Sequence, residues 1–238
     1  DYDIVVFENK FPSLRSIAPD PAVTGTELSP IDRAEGVCEV VCYTSDHNTE
    51  LAKLPLKKIH NLVRVWVDRF EDLGSRDYVD YVFIFENKGK EIGVTLSHPH
   101  GQIYAYPFIP PIIERELAGC KAHYDAKNSC LLCDIVQSEL VDTQRIVCEN
   151  ESFVAFVPFF ARYPYEVHIH PKDHREDISD LSEWEQFQLA EILQTVMVKY
   201  NRLWDKSLPY IMVTHQAPTD GSEYPHYHLD MEFYPPYR

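Results

Sequence analysis

Two clusters in this 238-residue chain have the residue types and spacing that chemistry needs. The first is His98-Pro99-His100-Gly101-Gln102. On a strand, residues i and i+2 share a face, so His98, His100 and Gln102 form one polar row. Such a row costs desolvation unless a ligand, a metal or a partner meets it. Imidazole can act as nucleophile, base or metal ligand. Attack on phosphorus needs one ring nitrogen free and held at a fixed angle while the other donates to an acceptor. Neutral donors must then take up charge on the phosphoryl oxygens, and Gln102, Ser97 and Thr95 are of that type. The second cluster is Cys130-Leu131-Leu132-Cys133. The pair suits zinc, a redox couple or buried thiols. Zinc takes four ligands, and His174 and His226 complete a Cys2His2 set. Redox use expects the pair to open a helix after a strand, a pattern the sequence does not display.

The elements that must position these residues repeat along the chain. Asp46-His47 and Asp173-His174 stand 127 residues apart, and the His-x-His pairs at 98/100 and 226/228 stand 128 apart. Between the marks in each half lies a helical pattern: Ile59, Leu62, Val63, Trp66, Phe70 and Leu73 in the first, and Leu189, Ile192, Leu193, Val196, Tyr200, Leu203 and Trp204 in the second. Each helix is followed by a strand (81–85; 210–213) and then by the His-x-His strand. The expected fold is α+β: two copies of one unit, joined in a mixed, mainly antiparallel sheet with the long helices on one side. The expected division is a catalytic first half at 1–111, a connecting helix at 112–127, and a zinc-binding, non-catalytic second half at 128–238.

Composition narrows the partners. Lys+Arg 22 against Asp+Glu 38 gives a net charge of −16, which disfavours a nucleic-acid backbone. No GxxxxGK[ST] or GxGxxG loop is present, and no apolar run approaches a membrane span. Six cysteines without a basic leader point to a reduced, cytoplasmic setting. The chain begins and stops beside strands, so it reads as part of a longer protein.

At these residues a family resemblance emerges. Cys-x-x-Cys-Asp-Ile-Val at 130–136, Pro171-Lys172-Asp173-His174 and His226-x-His228 resemble the histidine-triad superfamily. Phe85-Glu86-Asn87-Lys88-Gly89, His98-Pro99-His100-Gly101-Gln102, His215-x-Ala217-Pro218 and Phe233-Tyr234-Pro235-Pro236 look like its two-halved galactose-1-phosphate uridylyltransferase branch. The resemblance implies a ping-pong transfer of UMP between UDP-glucose and galactose 1-phosphate through a uridylyl-histidine on His100. It places Gln102 and Thr95 near the phosphoryl oxygens, and Asn9, Asn87 and Glu86 near the nucleotide. It also implies a homodimer and a first zinc site holding His47 and His98, whose cysteine pair would lie upstream. In bacterial members a further metal uses positions matching Glu116 and His215 plus an H-x-H. Here that pair is Asp230 and Glu232, and the inference is that the metal has moved to Cys130, Cys133, His174 and His226. Rival readings are adenylyl transfer or phosphorolysis of ADP-glucose or a dinucleoside polyphosphate, or a nucleotide-binding protein without turnover.

Overall fold

A computed structural model describes residues 2–237. Nine strands form one sheet: β1 (Val5–Glu8), β2 (Val37–Cys42), β3 (Tyr81–Lys88), β4 (His100–Tyr106), β5 (Ile146–Glu149), β6 (Phe153–Phe156), β7 (Val167–Pro171), β8 (Tyr210–His215) and β9 (Asp230–Tyr234). Their order is β1-β2-β4-β3-β8-β9-β7-β6-β5. Read outward from the β3–β8 seam, both halves run through the same sequence of elements. β3, β4, β2 and β1 on one side answer to β8, β9, β7 and β6 on the other. The duplicated unit expected from the sequence is therefore visible as a repeated topology. All paired strands are antiparallel among the described residues, so the mixed sheet expected from the sequence has no parallel member there.

Helices α1 (Leu56–Gly74) and α4 (Glu183–Leu203) pack on one face, as their apolar spacing requires. Ile59, Leu62, Val63, Trp66 and Phe70 of α1 and Leu189, Leu193 and Val196 of α4 enter one core with Val82, Ile84, Ile103, Ile169 and Met231 of the sheet. Trp66 is 1% exposed, and truncating such a residue to Ala costs about 3–5 kcal/mol. A capping box between Ser182 and Glu185 starts α4.

The other face is open in the first half and covered in the second. Helix α2 (Pro111–Lys127) begins with Pro at its first position and ends at the left-handed Asn128. Expected as a connector, it also roofs the sheet by burying Ile113, Leu117 and Cys120 against Tyr81 and Tyr227. A further helix, α3 (Leu131–Asp142), covers Val154 and Phe156 with Val136. Cys130 caps α3 and Cys133 lies in its first turn. The pair opens a helix, but one that follows a helix rather than a strand, so the strand-to-helix redox pattern is not formed.

Candidate active site and metal centre

Strand alternation decides which side chains reach the open face. Ile103 and Ala105 of β4 point into the helix-side core, so His100, Gln102 and Tyr104 point the other way. The His100 ring is fixed by its own strand: Nδ1 donates to the carbonyl of His98 at 2.7 Å. This contact leaves the Nε2 lone pair free and directed, the state a nitrogen nucleophile needs. Gly101 faces inward, where an added Cβ would collide with the Tyr43 hydroxyl. Only glycine lets β4 lie this close to Tyr43.

A cleft beside His100 is lined by Asn87, Lys88, Ser97 and His98, with Glu86 at its inner end. Gln102 Oε1 accepts from Asn9 Nδ2 and from the Tyr104 hydroxyl, both at 3.3 Å. With its oxygen thus engaged, the Gln102 amide NH2 is available to a ligand oxygen. Thr95 and Ser97 are exposed and line an adjoining cavity with Lys53, Lys88 and Lys90, a setting suited to phosphate. Glu86 is different. It alternates with Val82 and Ile84 toward the helices, is 4% exposed, and accepts from Tyr43 and Tyr210 at 3.1 Å each. It thus faces the core of the sheet while still lining the inner end of the cleft next to Asn87. Burial, against the pull of Lys88 and the tyrosine hydroxyls, pushes its carboxyl up to about 7.

The cysteine pair meets two imidazoles, but not the two expected. Cys133 Sγ lies 3.4 Å from His174 Nδ1 and 3.3 Å from His228 Nδ1, and Cys130 Sγ lies 3.9 Å from the latter. One ligand atom from each of Cys130, Cys133, His174 and His228 falls within 4.8 Å of the others. His226 is elsewhere, half-buried with its ring beside Tyr124 and Tyr224. His228 Nε2 donates to the Pro171 carbonyl at 3.1 Å, which turns Nδ1 toward the sulfurs. Two thiols and two imidazoles in this spacing are a donor set that fits tetrahedral zinc. In the first half, His47 and His98 have ring centroids 4.5 Å apart, and His98 Nδ1 is buried without a partner.

The correction at His226 follows from register. Paired residues cross the sheet in the row Val40–Gln102–Phe85–Val213–Glu232–His168. About the β3–β8 seam, Glu232 thus answers to Gln102, Asp230 to His100 and His228 to His98. The second half is two residues longer before its last strand than the 128-residue offset implies. Asp230, Glu232 and His215 lie on the same face as His100 but are buried beneath α2.

Glu116 Oε2 lies 3.1 Å from His215 Nδ1 and accepts from Tyr227 at 2.8 Å. Burial opposes a charge on His215, but the Glu116 carboxylate outweighs it and raises the imidazole to about 9. Glu116, His215 and Glu232 form one group that could hold a cation, and Asp230 falls into another with His168 and His170. His168 and His170 are a further His-x-His pair, spaced like 98/100.

Family comparison matches this architecture. The model of the galactose-1-phosphate uridyl transferase N-terminal domain covers residues 2–110, and that of the C-terminal domain covers 116–237. The chain is 47% identical to a galactose-1-phosphate uridylyltransferase of Thermotoga maritima, over 100% of this chain and 74% of that protein. It is 39% identical to one of Streptomyces lividans, over 94% of this chain and 59% of that protein. A solved uridylyltransferase structure superposes with a TM-score of 0.94 at 37% identity, covering 100% of this chain and 75% of that one. An ADP-glucose phosphorylase of Arabidopsis thaliana shares the fold at a TM-score of 0.85 and 24% identity, covering 99% of this chain and 73% of its own. With both domain models matched in order and full-length identity at this level, the chain belongs to the galactose-1-phosphate uridylyltransferase family.

Proposed function

We propose that this chain transfers UMP between UDP-glucose and galactose 1-phosphate through His100. The observation that carries the reading is the 2.7 Å bond from His100 Nδ1 to the His98 carbonyl, which frees Nε2 on the open face. Nε2 attacks the α-phosphorus of UDP-glucose. A P–N bond forms, and the bond from that phosphorus to the bridging oxygen breaks with its electron pair leaving on glucose 1-phosphate. A phosphate oxygen of galactose 1-phosphate then attacks the same phosphorus, and the P–N pair returns to the ring. The Gln102 amide, with Thr95 and Ser97 beside the lysines, receives charge on the phosphoryl oxygens without adding any of its own. Asn9 holds Gln102 in place, and Asn87 lines the cleft toward the nucleotide.

Zinc is the cation we assign to Cys130, Cys133, His174 and His228. It would tie α3 to the β9 approach, a structural service outside the reaction. His47 and His98 are proposed as half of a first zinc site. We further propose a homodimer, on the family resemblance, and a cytoplasmic location, supported by six unpaired cysteines. No helix among the described residues is long and apolar enough to cross a membrane.

The test is covalent trapping. Incubation with UDP-glucose labelled at the α-phosphorus is expected to leave an acid-labile, base-stable label on the protein, and His100→Gly to abolish it. Label from ADP-glucose instead would favour the adenylyl reading. Undiminished label on His100→Gly would sink both.

A further inference from the structure

On the face where α3 packs on Val154 and Phe156, β7 and β9 carry a cluster that the transfer chemistry leaves unused. His170 is 1% exposed, its ring is stacked on Phe156 at 5.0 Å, and neither ring nitrogen has a hydrogen-bond partner. Leaving even one buried polar group unpaired costs about 1–3 kcal/mol, and here both nitrogens of one ring are unpaired. Yet a ligand atom of His170 lies within 4.8 Å of one on His168 and one on Asp230. Asp230 is 4% exposed and His168 is 2% exposed.

The surroundings already orient these donors. His168 Nε2 donates to Glu166 Oε1 at 2.9 Å. Glu166 is itself held by the backbone N–H groups of Arg162 and Tyr163 at 2.8 and 3.0 Å. A carboxylate fixing one imidazole nitrogen is the arrangement that presents the other to a metal. That other nitrogen, Nδ1, faces Glu232 Oε1 at 3.3 Å. With Nε2 carrying the proton, a lone pair and a carboxylate oxygen would face each other with nothing positive between them.

We propose that His168, His170 and Asp230 bind a divalent transition-metal ion, a second cation centre distinct from Cys130–Cys133–His174–His228. Two imidazoles and one carboxylate form an N2O set suited to zinc, iron(II) or manganese(II) rather than to calcium or magnesium. The ion satisfies one of the two orphan nitrogens of His170 and neutralises the Asp230 carboxylate. It also cross-links β7 to β9 on the face that in the first half stays open for catalysis.

Cobalt(II) separates this centre from the cysteine site, because only thiolate ligands give the intense near-ultraviolet sulfur-to-cobalt charge-transfer band. Metal-stripped, reduced protein is titrated with Co2+, and uptake is counted against that band. The expected result is one equivalent that raises the band and another that binds without it. His170→Leu should lose the silent equivalent and keep the band; Cys133→Ser should do the reverse. Leucine fits the apolar contact with Phe156, so the variant should fold, and its melting temperature should no longer rise on adding Co2+ beyond the rise from the cysteine site. If the native protein takes up no silent equivalent, the proposal fails. It fails equally if His170→Leu retains that equivalent while His215→Leu loses it, which would put the ion on Glu116, His215 and Glu232.

Discussion

The two halves place the same three positions of the same strand in opposite circumstances. In the first half, His98 and His100 border a cleft and Gln102 beside them is half-buried. In the second half, His228, Asp230 and Glu232 are 0%, 4% and 6% exposed beneath α2 and α3. An equivalent backbone row therefore borders a cleft on one side and serves internal cohesion on the other. The difference lies in what covers the face. Where no helix lies over the row, the polar side chains find ligands from solvent; under a helix they must find partners inside the protein.

The sharpest way to break this comparison is at the histidines of the second half. Replacing His228 with Ala removes one of the four donors beside α3. It should strip bound metal from the cysteine pair and lower unfolding free energy by several kcal/mol, on the order expected when a structural metal is lost. His226→Ala should change stability by less than about 1 kcal/mol, since the ring is half-buried between two tyrosines. Metal content and urea unfolding of both variants decide the matter. Should His226→Ala be the one that empties the site, the two-residue offset between the halves is wrong.

A second change makes the first half resemble the second. Gln102→Glu places there the residue type that register assigns to its counterpart, Glu232. An anionic side chain beside a phosphoryl group withdraws the neutral donor and adds repulsion. The rate of nucleotide labelling on His100 should fall about 10²–10³-fold, roughly 3–4 kcal/mol of transition-state stabilisation. Melting temperature should stay close to native, because Gln102 is only half-buried. A labelling rate within threefold of native would show that Gln102 does not touch the transferring group.

Much of this contrast could be read from residues alone, and the part that could not has a physical reason. The helices, the duplication and the outward row through His100 follow from periods of 3.6 and 2, which burial enforces over many residues. The alignment of one half against the other was less accessible. A slip of one residue would have exchanged core for solvent, but a slip of two keeps every side chain on its own face, so alternation is silent about it. The polar loop 218–227 carries the extra length and has no periodic signal. Only the pairing of Val213 with Glu232 and Phe85 with Gln102 reveals that His228 rather than His226 matches His98. Glu86 is the opposite case. Its alternation with Val82 and Ile84 is legible and points it to the core, while its neighbour Asn87 brings it to the inner end of the cleft. His168 and His170 were equally legible as an i, i+2 pair on a strand.

Glu86 also supplies the subtlest distinction between the halves, because the equivalent position across the seam is Thr214, a neutral residue that is equally buried. Only the first half has a carboxyl there to titrate. Its folded value of about 7 stands above the ordinary 4.5 because burial disfavours the charge. Between those values the folded protein holds a proton that the unfolded chain releases, so stability falls as pH rises through this window. The full difference is at most about 3–4 kcal/mol, since each unit is worth about 1.4 kcal/mol. Glu86→Gln keeps a polar partner for Tyr43 and Tyr210 but has nothing to ionise. Its unfolding free energy should therefore exceed the native value above pH 7, and the two should converge below about pH 4.5. Glu50, held down to about 2 by Lys88, Ser207 and Lys53 despite burial, acts in the reverse sense and is present in both proteins. Its contribution is complete above about 4.5 and fades as pH falls toward 2, so it cancels from the difference. Urea unfolding of native and Glu86→Gln protein from pH 4 to 9 measures that difference directly. Parallel profiles across the whole range would mean that Glu86 stays ionised on the core side of the sheet, shielded by its two tyrosines and Lys88.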